Sequence, residues 1–380
     1  MNAHPLTALP ASAPAEAGLR ADRLDLLVGI IESHIAEGRY PGCQVAIARH
    51  GRLLLDRTFG HARLEPAKVA AGADTLWLLY SNTKVIVATA IWRLVEDGVI
   101  AFDDRIADHV PEFARHGKDA ITVHQVITHQ GGFPNAQLSR EGWTDRDARR
   151  RSVCDFTLEW TPGSRVSYHP LAAHWVLAVL IEAVTGQDFR EHLRARVIEP
   201  LGLGHELVVG VGPQDDARVA DMFDPAPGGA LTPRADSNNA TWRTGGAPGG
   251  GGYGTARGMA ALYQMMLAGG ELGGRRILSP RTLAWALRDH TGDRIDEYMG
   301  MPMHRGLGPH LRGTGPIIRG LGTLAAPGVY GHGGVGSSYC WADPSSGVSF
   351  AYLTNSRIPD PWHSIRMNRI SDLVHAAILG

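Results

Sequence analysis

Two β-hairpin signatures stand at opposite ends of this chain, and neither is stable by itself. Near the start, CQVAIAR (43–49) and RLLLDR (52–57) flank the short turn His50-Gly51. Near the end, SYCWAD (338–343) and VSFAYLTN (348–355) are joined by Pro-Ser-Ser-Gly. A lone two-stranded hairpin is marginal in water, so two sequential domains built on these pieces would each be unstable. One antiparallel sheet assembled from both termini, with the rest of the chain inserted, satisfies both. The insertion reads as helical: VIVATAIWRLVEDG runs to Gly98 and LAAHWVLAVLIEAVTG to Gly186, with further helices over 255–268 and 280–288. Leu24, Leu27, Ile31 and Ile35 mark an amphipathic helix stopped by Gly38. Ile370, Leu373, Val374, Ala377 and Ile378 mark another over about 362–379. The segments 209–254 and 300–328 are rich in Gly and Pro and read as long ordered loops. The expectation is an α+β fold. Residues 1–18 form a disordered lead-in, 19–75 and 275–380 an α/β subdomain around the sheet, and 76–274 a mainly helical subdomain.

Composition narrows the function without naming it. Lys+Arg at 37 against Asp+Glu at 38 leaves a net charge of −1, which argues against a nucleic-acid partner and against a polybasic membrane anchor. No apolar run approaches the roughly 18 residues of a membrane span. Cys43, Cys154 and Cys340 are too scattered for a disulfide framework or a C-x-x-C metal site and read as buried thiols. The first 19 residues carry no Lys or Arg and are broken by Pro5, Pro10 and Pro14, unlike a signal peptide, so a cytoplasmic protein is expected. Among 18 histidines there is no H-E-x-x-H, and no metal or other cofactor is expected.

Chemistry enters at Ser81-Asn82-Thr83-Lys84, which opens a helix after LWLLY. Residues i and i+3 share a helix face, so the hydroxyl and the amine can meet. Free N–H groups at a helix N-terminus favour developing negative charge. A serine there beside an amine is a nucleophile with a candidate base and half of an oxyanion site. With 17 serines and three lysines in 380 residues, chance alone gives about 0.13 such pairs. The pair alone is also what an N-cap serine with a solvated lysine looks like.

Further segments follow in order: VITHQGGFP (126–134), PGSRVSYHP (162–170), VIEPLGL (197–203), GGGGYGTARGMAAL (249–262) and HGGVGSSYCWADP (332–344). With Ser81–Lys84 this set resembles the serine β-lactamase/penicillin-binding-protein superfamily, in particular class C β-lactamases and the family VIII carboxylesterases that share their fold. The resemblance spans roughly residues 20–378. It implies Ser81 as nucleophile, with Lys84 and Tyr168 sharing the acid–base work. It also implies an oxyanion hole from the backbone N–H groups of Ser81 and Val335. A phenol titrates near 10, so Tyr168 would act as a base only if a cation, Lys84, held it partly ionised. Gly333 and Gly334 would let substrate lie against the strand, with His332 and Trp242 as further substrate-binding candidates.

The departures point to one branch. Class C β-lactamases have Tyr-x-Asn where this chain has Tyr168-His169-Pro170, and Lys-Thr-Gly where it has His332-Gly333-Gly334. Without the cation that pairs with a carboxylate, neutral acyl compounds are the expected substrates. A serine carboxylesterase (EC 3.1.1) acting on a small-molecule ester is therefore expected. Acyltransferase, amidase or D-amino-acid peptidase and weak β-lactamase chemistry would use the same residues. A non-catalytic binding protein fits the intact Ser81, Lys84 and Tyr168 less well, and a homo-oligomer is compatible with everything above. Gly249-x-Gly251-x-x-Gly254 matches a dinucleotide fingerprint literally, but TWRTGGAP before it is not a strand. No G-x-S-x-G occurs, which removes the α/β-hydrolase alternative.

Overall fold

The computed structural model describes residues 9–226, 229–316 and 320–379. Side chains that alternate between two cores build its centre. Along β1 (Gly42–Arg49) Cys43, Val45 and Ile47 enter one hydrophobic core while Ala46 and Ala48 enter the other. The strand is buried on both faces because helices cover both. His50 and Gly51 take positive φ (48° and 75°), the mirror-image turn that matches strand twist, and lead into β2 (Arg52–Arg63) and the short β3 (Val69–Ala70). On its other edge β1 pairs with the C-terminal hairpin, Cys43 opposite Thr354 and Arg49 opposite Val348.

The elements that complete this frame are α1 (Ala21–Ala36), α2 (Thr83–Glu96), α3 (Ala172–Thr185) and α4 (Ala256–Leu267). Near the C-terminus come β4 (His310–Leu311), β5 (Tyr330–Gly334), β6 (Ser338–Asp343), β7 (Val348–Thr354) and α5 (Trp362–Ala377). The seven-stranded antiparallel sheet has the order β4-β5-β6-β7-β1-β2-β3, assembled from both chain ends as the hairpin argument requires. Leu24, Leu27 and Ile31 of α1 and Met367, Ile370 and Val374 of α5 cover one face.

Two boundaries differ from expectation. Helix α4, assigned from sequence to the helical subdomain, packs on the sheet's other face: Ser349 Oγ donates to Ala260 O (2.9 Å) and Gln264 Nε2 to Ala48 O (3.2 Å). The lead-in is structured from Leu9 onward, while residues 1–8 lie outside the described residues. Leu9 is buried, Leu53 N donates to Pro10 O (2.9 Å), and Arg49 Nη1 donates to Ala17 O (2.8 Å). A single apolar anchor and backbone pairing hold a segment that its prolines had marked as broken.

The 209–254 stretch contains short elements of its own. Gly252–Gly254 pairs antiparallel with both Trp77–Leu78 and Leu207–Val209. This small sheet fixes the approach to Ser81, because Leu79 N donates to Gly252 O (2.9 Å) and Gly252 N to Thr83 Oγ1 (2.9 Å). Among the described residues no helix is long and apolar enough to cross a membrane.

Candidate active site

The chain turns sharply to present Ser81. Tyr80, just before it, has φ +44°, a left-handed conformation that a non-glycine residue adopts at a cost. Ser81 then lies in a 3-10 turn (Tyr80–Asn82) that runs directly into α2. Its hydroxyl caps no helix N–H, so the N-cap alternative drops out. Instead Ser81 Oγ lies 3.1 Å from Lys84 Nζ and receives the Tyr168 hydroxyl at 2.7 Å. Lys84 also donates to Pro170 O (2.7 Å) and Gly249 O (2.5 Å). The glycine run that imitates a nucleotide loop thus belongs to this site. A Cβ on Gly249 would stand 2.9 Å from Pro170 O, and one on Gly252 2.8 Å from Thr83 Oγ1.

Burial sets the electrostatics. Lys84 is fully buried, and loss of hydration, with the Arg305 guanidinium nearby as the lesser cause, holds its amine well below the usual lysine range. Burial also pushes the Tyr168 phenol above its ordinary value, although the bond to Ser81 and the Arg305 charge pull the other way. Both shifts favour neutral groups. The expectation that Lys84, as a cation, would hold Tyr168 partly ionised runs against them. Around the phenol ring stand Lys84 Nζ (5.0 Å from the centroid), Arg305 Cζ (4.9 Å), and the rings of His129 (4.7 Å), Tyr298 (5.6 Å) and His332 (6.1 Å).

Strand β5 brings the second half. Gly334 packs against the Ser81 turn so closely that an added Cβ would lie 2.8 Å from Leu79 O. Val335 is the first residue beyond the strand, in the turn to β6. Among the described residues its N–H makes no hydrogen bond. His332 Nδ1 lies 2.9 Å from Gly333 O, which accepts the ring proton. Burial first, and then the neighbouring His310 and Lys84, keep the imidazole well below its ordinary pKa and so uncharged.

A cavity of about 300 Å³ opens at Ser81, between the helical insertion and the sheet. It takes in Tyr168, His332, Gly333, Gly334 and Val335. Trp242 does not line it. That indole packs on Trp143 (centroids 5.4 Å apart) in a neighbouring hollow, with Tyr80 (6.2 Å) as its link toward Ser81. Sequence reasoning missed the opposite wall, which carries Tyr298, Met299, Met303, Arg305 and Met367. Four of these fall in or beside the Gly/Pro-rich stretch, where no periodicity marks them. Among the described residues no group of three His, Cys, Asp or Glu is arranged to hold a metal ion.

A serine three residues before a buried lysine, a tyrosine hydrogen-bonded to that serine and an open strand end after a glycine pair match one family in detail. The Beta-lactamase family model covers residues 27–371. The chain belongs to the β-lactamase family. Among its relatives, the esterase/β-lactamase LipL of Mycobacterium tuberculosis is 29% identical, over 90% of this chain and 83% of LipL. A penicillin-binding-protein homologue from Caulobacter crescentus is 30% identical with a TM-score of 0.80, covering 95% of this chain and 99% of that one. A family VIII carboxylesterase structure is 26% identical with a TM-score of 0.78, covering 93% and 98%. The fold and its α+β class are those of this family.

Proposed function

We propose that the protein is a serine carboxylesterase that forms an acyl-enzyme on Ser81, with Lys84 as the base of the first step. The observation that carries this reading is the hydrogen-bond inventory of Lys84. A neutral amine has two N–H groups and one lone pair. The two N–H groups go to Pro170 O and Gly249 O, which leaves the lone pair for the Ser81 hydroxyl proton. The Tyr168 hydroxyl donates to the same Oγ. An ammonium would fill all three bonds as a donor, the one to Ser81 Oγ included, but burial disfavours that charge and a phenolate beside it.

The chemistry follows from this arrangement. Ser81 Oγ gives its proton to Lys84 and attacks the ester carbonyl carbon. The oxyanion is received by the N–H groups of Ser81 and Val335. On collapse the C–O bond to the alcohol breaks, Tyr168 protonates the leaving oxygen, and the Lys84 ammonium restores the phenol proton. Water then repeats the sequence against the acyl-enzyme, releasing the acid and free Ser81. The neutral imidazole of His332 offers no charge to a substrate carboxylate, which favours uncharged esters.

The test uses p-nitrophenyl butyrate and a chromogenic cephalosporin in parallel, with the protein and its Ser81→Ala variant. Ester cleavage lost in the variant, an acyl adduct on Ser81 by intact mass, and little cephalosporin turnover are expected. Cephalosporin turnover equal to ester turnover, or ester cleavage surviving Ser81→Ala, would overturn the reading.

A further inference from the structure

The phenol that shuttles the proton is held by the short hairpin Ile295–Asp296/Met301–Pro302 and the chain just after it, which no motif marks. Asp296, fully buried, accepts with Oδ1 the backbone N–H groups of Tyr168 (3.0 Å), Tyr298 (3.1 Å) and Met299 (3.2 Å). Its Oδ2 accepts Nε (2.9 Å) and Nη2 (2.5 Å) of Arg305, a residue only 2% exposed. Glu297 N donates to Val166 O (2.9 Å), and Arg305 N to Thr291 Oγ1 (2.9 Å). One carboxylate therefore joins the backbone of Tyr168 to a guanidinium whose Cζ lies 4.9 Å from the Tyr168 ring centroid.

The other groups facing Lys84 and Tyr168 carry no permanent charge. His129 and His332 ring the phenol, with His169 and His174 behind them and His310 beyond His332 (5.5 Å). Burial holds His129, His169, His174 and His332 below their ordinary pKa. Asp296 and Arg305 are the charged pair, and the guanidinium is the member over the ring.

We propose that Arg305 is a positioning residue of the acylating site, supplying through Tyr168 and Lys84 the positive charge that strand residue His332 does not carry, with Asp296 fixing guanidinium and phenol together. The inference rests on the acylation of Ser81 proposed above. A fixed cation keeps the neighbouring amine deprotonated and ready to take the serine proton. It also steadies the phenol oxygen at the moment it gives its proton to the leaving alcohol. Asp296 takes two of the five guanidinium N–H groups, Nε and one on Nη2, and partly offsets its charge.

The experiment measures two pH profiles on each protein: kcat/KM for p-nitrophenyl butyrate, and the rate at which a fluorophosphonate labels Ser81. The second reads the nucleophile whatever the natural substrate. The variants are Arg305→Gln, Arg305→Lys, and the double variant Asp296→Asn with Arg305→Gln. In the double variant the introduced amide oxygen still accepts the Tyr168 N–H and no buried carboxylate is left unpaired. Removing the charge should move the acid limb of both profiles upward by about one unit, the size of a neighbouring-charge effect partly offset by its partner. Arg305→Lys should hold the limb near its original place. A folded double variant with the original limb would overturn the proposal. So would equal displacement in Arg305→Lys, since the part played would then be structural alone. Should the unmodified protein fail to label at Ser81, the esterase reading itself falls, a result distinct from either.

Discussion

Gly334→Ala is the most direct test of how the two halves of the site are held together. Gly334 is not in the left-handed region, so alanine suits its backbone, and the cost of the substitution is steric. The new Cβ would stand 2.8 Å from Leu79 O and 2.3 Å from Ser338 Oγ. The serine hydroxyl can rotate, although it would give up the hydrogen bond from Asn82 Nδ2 (3.0 Å). The Leu79 carbonyl cannot yield so easily, because it is backbone two residues before Ser81 and accepts from Asn82 N (3.1 Å) and Asn82 Nδ2 (3.0 Å). Ordinary contact with that oxygen requires β5 to retreat by about 0.6 Å. The retreat carries the Val335 N–H away from Ser81. Loss of one oxyanion donor costs about 10²–10³ in kcat, and misplacement by about 1 Å costs about 10², so a fall near 100-fold, or about 2.7 kcal/mol, is expected. Overpacking should also lower stability by about 1–3 kcal/mol. Steady-state kinetics on p-nitrophenyl butyrate, with thermal unfolding alongside, separate the two effects. Gly29→Ala is the control: Gly29 is exposed in α1 with nothing within 4 Å of a Cβ, so stability should rise by about 0.5–1 kcal/mol and kcat stay unchanged. A Gly334→Ala enzyme with kcat within threefold of the original would show that Val335 N–H does not act where we propose.

Three more outcomes can be measured. Tyr168→Phe removes the donor to the leaving oxygen and should lower kcat by about 10²–10⁴ while the melting temperature moves little, checked by ester kinetics and calorimetry. Lys118→Met strips a fully buried amine from the carbonyls of Arg115, Cys154 and Phe156 (2.8, 2.9 and 2.5 Å), and urea unfolding should show a loss of about 3–5 kcal/mol with the site intact. Acid should destabilise the fold through buried histidines: desolvation lowers His34 and His169 from 6.5 to about 4. Their folded pKa lies below the unfolded one, so their stabilising contribution is complete above pH 6.5 and is lost as pH falls toward 4. That loss is on the order of 3 kcal/mol apiece, and unfolding free energies at pH 7 and pH 4.5 should register most of it.

The sheet was legible because its logic is local. The apolar runs CQVAIAR and SYCWAD with their turn signals mark the hairpins, and the instability of a lone hairpin argues for pairing the two ends, as Cys43 opposite Thr354 and Arg49 opposite Val348 now do. Ser81, Lys84 and Tyr168 were legible for a different reason: each lies in a short segment whose residue types and order match a family, and the structure brings all three within hydrogen-bond reach. The lead-in was misread because prolines report on local geometry, while Leu9 and the pairing with Leu53 are long-range facts. The boundary at α4 was misread because a helix pattern shows which residues face inward without showing which layer they face.

What stayed hidden is the wall opposite Ser81. Asp296 and Arg305 lie nine residues apart in a stretch without periodicity, and more than a hundred residues beyond Tyr168. Their importance arises only after folding, when one carboxylate meets a backbone N–H from one segment and a guanidinium from another. Trp242 shows the converse, since an aromatic in a glycine-rich loop near Ser81 invites a substrate role, yet its ring packs on Tyr80 and Trp143 outside the cavity at Ser81. Motif reading reaches the residues we propose to react, because their chemistry limits which residue types can stand there. The groups that set the charge around those atoms are less constrained, since a cation can reach Tyr168 from a strand or, as Arg305 does, from the segment that follows Met301–Pro302. In this chain the exchange of a strand lysine for His332 and the presence of Arg305 over the phenol are best understood as two parts of one electrostatic arrangement. The double variant at 296 and 305 is the measurement that separates that account from coincidence.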